Sequence, residues 1–348
     1  MRSTNEGVDL NDPDISLRFD IIKPLIKELM DKKVLLVQAP PFSGKTSTAQ
    51  ILEQTLVNAP EYSHYRVIRI SLLWKQNINW DTFGEKWKSI VGVSWGEWVD
   101  QCYVKPSILI VDEAQLIYGD KEVTGNDKVS AYRFWLVIKS ILQEVTGINI
   151  IMFAAYGYKS STNSELLALV RLPREHCKSL IDITFSLSEL KTYVEKFCSK
   201  YFNLDQKSII ELYQYIQVVT EGHAGLVRHI LMSIEDAMKK QINTNCLTWE
   251  AIFKYLNSKD FDSSIYINCR AVPNVSSLNG EQLKLCEYVY MNGRANYSAF
   301  SPDPNASHLI KTGILMVVDD SYVSYLTFAA PLLKRAFFQQ ICKEHNYY

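Results

Sequence analysis

Two clusters of residues in this chain have types and spacing suited to phosphate chemistry. The first is Ser43, Gly44, Lys45, Thr46 and Ser47, the end of "VLLVQAPPFSGKTSTAQ". It matches the close of the pattern G-x-x-x-x-G-K-[ST], in which backbone N–H groups cradle phosphate oxygens, the lysine reaches the β- and γ-phosphates, and the hydroxyl ligates Mg²⁺. The opening glycine of that pattern is replaced by Ala39, and Pro40 and Pro41 follow it. Prolines lack an N–H, but these two lie upstream of the donors, which come from about Ser43 to Ser47. A residue before proline is pushed to extended geometry, so Ala39 is expected to need no glycine-like conformation. The nucleotide-binding candidates are therefore Pro41, Phe42, Ser43, Gly44, Lys45, Thr46 and Ser47. The second cluster is Asp112 with Glu113, in "SILIVDEAQLIYGD". A carboxylate at the end of a strand beside such a loop holds Mg²⁺, and a following glutamate polarises the attacking water. Thr46 and Asp112 are thus the metal candidates, and Lys45 and Glu113 the catalytic ones, with ATP and Mg²⁺ as the expected ligands.

These residues need a scaffold that ends strands beside a helix N-terminus. The apolar run "VLLVQ" before the loop reads as a buried strand, and Thr46 to Val57 reads as the helix after it. A helix N-terminus adds unpaired N–H groups and a positive dipole end. Further strands are expected at Tyr65 to Leu73, Ser107 to Val111, Ile148 to Gly157 and Leu180 to Ser186. Alternation with helices implies an α/β fold with a parallel, five-stranded P-loop sheet covered on both faces, and the strand inserted between the loop strand and the Asp-Glu strand resembles the arrangement of additional-strand, AAA+-like ATPases.

Other candidates hang on that scaffold. Tyr156 offers the polar group after the fourth strand, where the γ-phosphate could be sensed, or it packs at the sheet edge. Arg171 and Arg174 lie before the fifth strand, either candidates for use by a neighbouring subunit or ordinary surface arginines. Beyond Ser186 the alternation stops and four helical patterns follow, a helical lid. Its turn "TEGHAGLVRH" either caps a helix or brings His223 or Arg228 to the nucleotide. The chain from Ile265 shows helices and then the hairpin "LMVVDDSYVSYLTF", turning at Asp319, Asp320 and Ser321, which suggests a winged helix. The expected division is residues 1–188, 189–262 and 263–348. "SKDFDSS" and "VPNVSSLNG" read as linkers. Tryptophans 74, 80, 87, 95 and 98 crowd one insert that reads as short helices over the sheet edge, either core packing or a partner surface.

Composition bounds the function. The chain has 348 residues, 47% of them hydrophobic, and a net charge of -1, so it can bury a sizeable core and carries no global field for nucleic acid or lipid. From Arg270 onward seven basic residues face six acidic ones, which argues against DNA binding without closing the question. Seven cysteines with no C-x-x-C pair suit free thiols. The polar N-terminus and the absence of a long apolar run point to an intracellular protein with no membrane segment.

"QAPPFSGKTS", "ILIVDEAQLIYGD", Phe134 to Lys139, "FAAYG", "GHAGLV" and "GIL...FAAPL" together resemble the NTPase module of Crinkler-type effector proteins, relatives of AAA+ and STAND ATPases. The resemblance spans about residues 17 to 338. It implies an ATP-driven switch, in a family where this module sits between a ubiquitin-like header and an effector domain and which is associated with secretion and host nuclei. The chain departs from that pattern: it shows neither header nor effector domain, and Ala224 stands where the lid motif often has proline. A stand-alone or truncated module is the expectation, an ATP-binding and hydrolysing switch, with a homo-oligomer and unknown protein partners as the candidate assemblies. The alternatives are a non-hydrolysing scaffold and a DNA-loading ATPase.

Overall fold

The computed structural model describes residues 7–12, 14–74, 80–117, 135, 138–143, 147–156, 172–269, 272, 275–298, 303–320 and 323–344. Arg171, Phe134 and Ser321 fall outside these residues. Two compact units are present: one comprises Met1–Leu10, Ile22–Gln38 and Lys45–Ser179, the other Asn11–Ile21, Ala39–Gly44 and Leu180–Tyr348.

The first unit is built on a five-stranded sheet. Its strands are β1 (Val34–Gln38), β2 (Arg66–Ser71), β3 (Ser107–Asp112), β4 (Ile148–Ala154) and β5 (Cys177–Lys178). All pairings are parallel and the order is β2-β3-β4-β1-β5. Every residue of β3 and β4 is buried, which is why both read as unbroken apolar runs: a parallel sheet is covered on both faces. In sequence β2 separates the loop strand from the acidic strand, but in space β4 does so, and β2 lies at the edge.

Helix α1 (Phe19–Lys32) leads into β1, and α2 (Lys45–Asn58) follows the loop. The insert after β2 forms α3 (Trp80–Val91) and α4 (Trp95–Gln101), the latter started by a Ser94–Glu97 capping box. Trp87, Trp95 and Trp98 pack with ring centroids 4.6 to 4.9 Å apart and join the core of the sheet. Packing, not a partner surface, is therefore the role of these three.

The fifth strand is not Leu180 to Ser186. Residues Ile181–Ile183 form a 3-10 turn, with Ile181 exposed and Ile183 buried. The alternation that mimics a strand comes from a turn dropping one side chain inward. The strand is instead Cys177–Lys178, which pairs with Leu36 and Val37 and is held from α1 by a 2.6 Å ion pair between Lys178 and Glu28.

The second unit contains α5 (Leu187–Tyr201), α6 (Gln206–Thr220), α7 (Ala224–Ala237), α8 (Lys239–Asn243) and α9 (Trp249–Leu256), the expected helical run. The expected linker "SKDFDSS" instead begins α10 (Lys259–Asn268). Ser258 caps it, Asp260 and Asp262 favour its first turn, and Phe261 and Ile265 are buried. The C-terminal part holds α11 (Gly280–Asn292), β6 (Ala295–Tyr297), α12 (Pro304–Thr312), β7 (Leu315–Asp320), β8 (Val323–Phe328) and α13 (Pro331–Glu344), with an antiparallel sheet in the order β6-β8-β7. This is a winged-helix arrangement. Asp319 and Asp320, expected in the hairpin turn, are strand residues that pair with Ser324 and Val323. Among the described residues no helix is long and apolar enough to cross a membrane.

Candidate functional site

In the first unit the two motifs meet. Lys45 opens α2 and is buried, and Asp112 ends β3 with 2% exposure. The strand carries its carboxylate inward because β3 is covered on both faces. Burial pushes the Asp112 carboxyl above its ordinary range. Hydrogen bonds from the Thr46 hydroxyl and the Glu113 N–H, and the charges of Lys45 and Arg69, pull the other way. The Glu113 N–H reaches Asp112 Oδ1 at 3.0 Å. A carboxylate and a hydroxyl that already share a hydrogen bond are oxygen donors of the type Mg²⁺ takes.

Glu113 is half-buried and has φ of +60°, in the left-handed region that a residue with a side chain seldom occupies. Strain of this kind costs on the order of 1 kcal/mol and gathers at functional sites. Gln115 reaches back to it: its amide Nε2 donates to Glu113 Oε2, while its Oε1 accepts from the Ala155 N–H at 3.0 Å. The sequence reading missed Gln115, and only its place two residues beyond the acids hinted at it. Tyr156 stands next to Ala155, half-buried against the sheet core.

In the second unit the loop Ala39–Gly44 is held by segments far along the chain. Ala39 is buried and is not left-handed, in keeping with the effect of Pro40, whereas Phe42 has φ of +70° and Gly44 of +91°. Gly44 is the position that needs a glycine for its backbone angle. Gly225, near the start of α7, is a glycine for space: a Cβ there would lie 2.0 Å from the Phe42 carbonyl oxygen. Pro41 presses on Gly313, after α12, so closely that a Cβ there would lie 2.3 Å from Pro41 Cδ. The prolines thus serve as packing surface for the winged-helix part. Ser43 is fully buried and its Oγ has no hydrogen-bond partner among the described residues. An orphaned buried hydroxyl is a group that a phosphate oxygen would satisfy.

Arg18 is a further residue that spacing could not reveal. It is buried at 4% exposure, donates to the Ile183 carbonyl and stacks over Phe185 at 4.9 Å. Its Nη1 lies 3.7 Å from where a Cβ on Gly44 would be. Burial lowers its pKa to about 10, opposed by Glu189, so it stays charged beside the loop at neutral pH. His223 caps α7: its Nδ1 accepts the Leu226 N–H at 3.4 Å, and its ring lies 6.4 Å from that of Phe42. Arg228 is exposed one turn further along, and its charge is felt by Tyr193. Arg174 is exposed just before β5.

No protein-family model matches the chain, and no curated protein matches it. Among solved structures it is similar to the Walker-type ATPase PABY2304 of Pyrococcus abyssi, with 12% identity, coverage of 97% of this chain and 99% of that one, and a TM-score of 0.56. It is also similar to the ORC2 protein of Aeropyrum pernix. The form with ADPNP and ADP gives 14% identity, 97% and 98% coverage and a TM-score of 0.52; the ADP form gives 13%, 97% and 97%, and 0.53. At these identities the likeness speaks for the fold. The chain therefore has the α/β P-loop fold of AAA+-like ATPases: a five-stranded parallel sheet with flanking helices, and a winged helix at its C-terminal end.

Proposed function

We propose that this protein binds ATP with Mg²⁺ at the loop after β1 and hydrolyses it, using the reaction as a conformational switch. The observation that carries the reading is the hydrogen bond from Thr46 to Asp112, beside the buried Lys45. It joins two motifs that are far apart in the sequence, one supplying the hydroxyl and the other the carboxylate. The orphaned Ser43 hydroxyl and the left-handed turn at Gly44 support it.

In this reading the N–H groups from Ser43 to Ser47, with Pro41 and Phe42 shaping their entry, hold the β- and γ-phosphates, and Lys45 offsets their charge. Thr46 and Asp112 would hold Mg²⁺, which when bound neutralises charge on the phosphates. Glu113 orients a water and accepts its proton as the oxygen attacks the γ-phosphorus and ADP leaves with the electron pair of the broken P–O bond. Arg174 is a candidate to complete the site of a neighbouring copy. Tyr156 and Arg228 remain candidates for sensing the γ-phosphate. The finer assignment to a Crinkler-type NTPase module rests on the sequence motifs alone.

Turnover of ATP by the purified protein tests the reading. Glu113→Gln should keep a fluorescent ATP analogue bound and slow hydrolysis by roughly 10²-fold or more. Lys45→Ala should abolish binding in a folded protein. Unchanged affinity in folded Lys45→Ala would remove the loop from the site. Wild-type binding without turnover would leave a nucleotide-dependent scaffold.

A further inference from the structure

We infer that Gln115 is a positioning residue that fixes the Glu113 carboxylate and ties it to the end of β4, an inference that rests on the hydrolytic reading above. The orientation of its amide is settled by its neighbours. The Ala155 N–H can only donate and a carboxylate oxygen accepts, so Oε1 faces Ala155 and Nε2 faces Glu113. Reversing the amide would set donor against donor and acceptor against acceptor. The turn that carries Gln115 is itself anchored, with Ala114 fully buried and the Leu116 N–H bonded to the Glu113 carbonyl at 3.1 Å.

The consequence is a carboxylate that is not left to rotate. Glu113 leaves β3 in a left-handed conformation that sets its direction, Asp112 Oδ1 holds its N–H, and Gln115 holds its Oε2. A general base works only within hydrogen-bond reach of the proton it takes, and small misplacements cost large factors in rate. With Oε2 engaged by the amide, Oε1 is the oxygen that accepts the proton from water. The same amide reads the main chain at Ala155, next to Tyr156. A shift at the end of β4 would therefore be passed to the base through a single side chain.

The test separates positioning from mere support. Gln115→Glu keeps an acceptor for the Ala155 N–H and loses the donor to Glu113, whereas Gln115→Ala loses both. Each variant should bind a fluorescent ATP analogue within about twofold of wild type, keep KM, and lose about tenfold or more in kcat. On a Glu113→Gln background, Gln115→Ala should cost nothing more, because no base is left to position. Wild-type kcat in Gln115→Glu, or an additive loss in the double variant, overturns the inference while leaving the hydrolytic reading intact. Should Gln115→Ala fail to fold, Gln115→Glu and its double variant decide alone. If the wild type itself shows no turnover, the hydrolytic reading falls and the inference falls with it.

Discussion

The loop Ala39–Gly44 and the acidic turn Asp112–Gln115 serve one proposed reaction but are stabilised in opposite ways. In that reading the loop would act through backbone N–H groups and one hydroxyl, and residues distant in sequence pack against it: Gly225 in α7, Gly313 after α12 and Arg18 before α1. The turn acts through side chains, and much of its shape is set by itself: Asp112 holds the Glu113 N–H, and Gln115 holds the Glu113 carboxylate. The loop should therefore fail through substitutions that never touch nucleotide. The turn should fail through its own residues.

The largest expected effect breaks the loop from afar. Gly225→Ala removes a helical glycine, which by propensity alone would stabilise α7. Its new methyl would instead meet the Phe42 carbonyl at 2.0 Å, a contact with backbone that no rotamer relieves. Affinity for a fluorescent ATP analogue should fall on the order of a hundredfold in a protein that retains its helical circular dichroism. Unchanged affinity would show that the loop takes its shape without α7.

A smaller effect separates function from stability in the turn. Asp112→Asn should weaken Mg²⁺-dependent nucleotide binding by about tenfold or more, since a hard cation loses its charged oxygen donor. It should also raise the melting temperature of the nucleotide-free protein at neutral pH. The folded state holds the Asp112 pKa above its ordinary value, so ionisation there costs stability that asparagine does not lose. A lower melting temperature for the variant would contradict this account of the site.

The smallest effect concerns α7, the helix that begins beside Phe42. His229 lies on it, bonded to Ser264 at 3.1 Å and to Ser233 at 3.3 Å, and packed against Phe261; burial lowers its pKa to about 4. Because the folded value lies below the ordinary 6.5, the neutral ring contributes stability that is complete above pH 6.5 and lost as pH falls toward 4. At pH 5.5 the loss is on the order of 1 kcal/mol. Urea melts of the wild type at pH 7.5 and 5.5 should show it, and His229→Gln should flatten the difference. An equal drop in both proteins would assign the acid sensitivity elsewhere.

How far these features could be read in advance follows from how local they are. The strands β1, β3 and β4, the helix α2 and the pair Asp112 and Glu113 are legible because burial on both faces forces continuous apolar runs, and phosphate chemistry restricts residue types at short spacing. The strand Cys177–Lys178 is too short to leave a period, and the 3-10 turn at Ile181–Ile183 imitates one. Ser258 with its two early aspartates is a helix start that polar composition disguised as a linker. By itself the sequence determined the α/β class, the helical run from Leu187 and the residue types proposed to hold phosphate and metal, since those depend on periodicity and side-chain chemistry. The tertiary structure alone decided that β4 lies between the loop strand and the acidic strand, that Gly225 and Gly313 shape the loop, that Arg18 stands beside Gly44, and that Gln115 faces Glu113. Those are contacts between residues distant in sequence or dependent on one backbone turn, and neither leaves a mark in spacing.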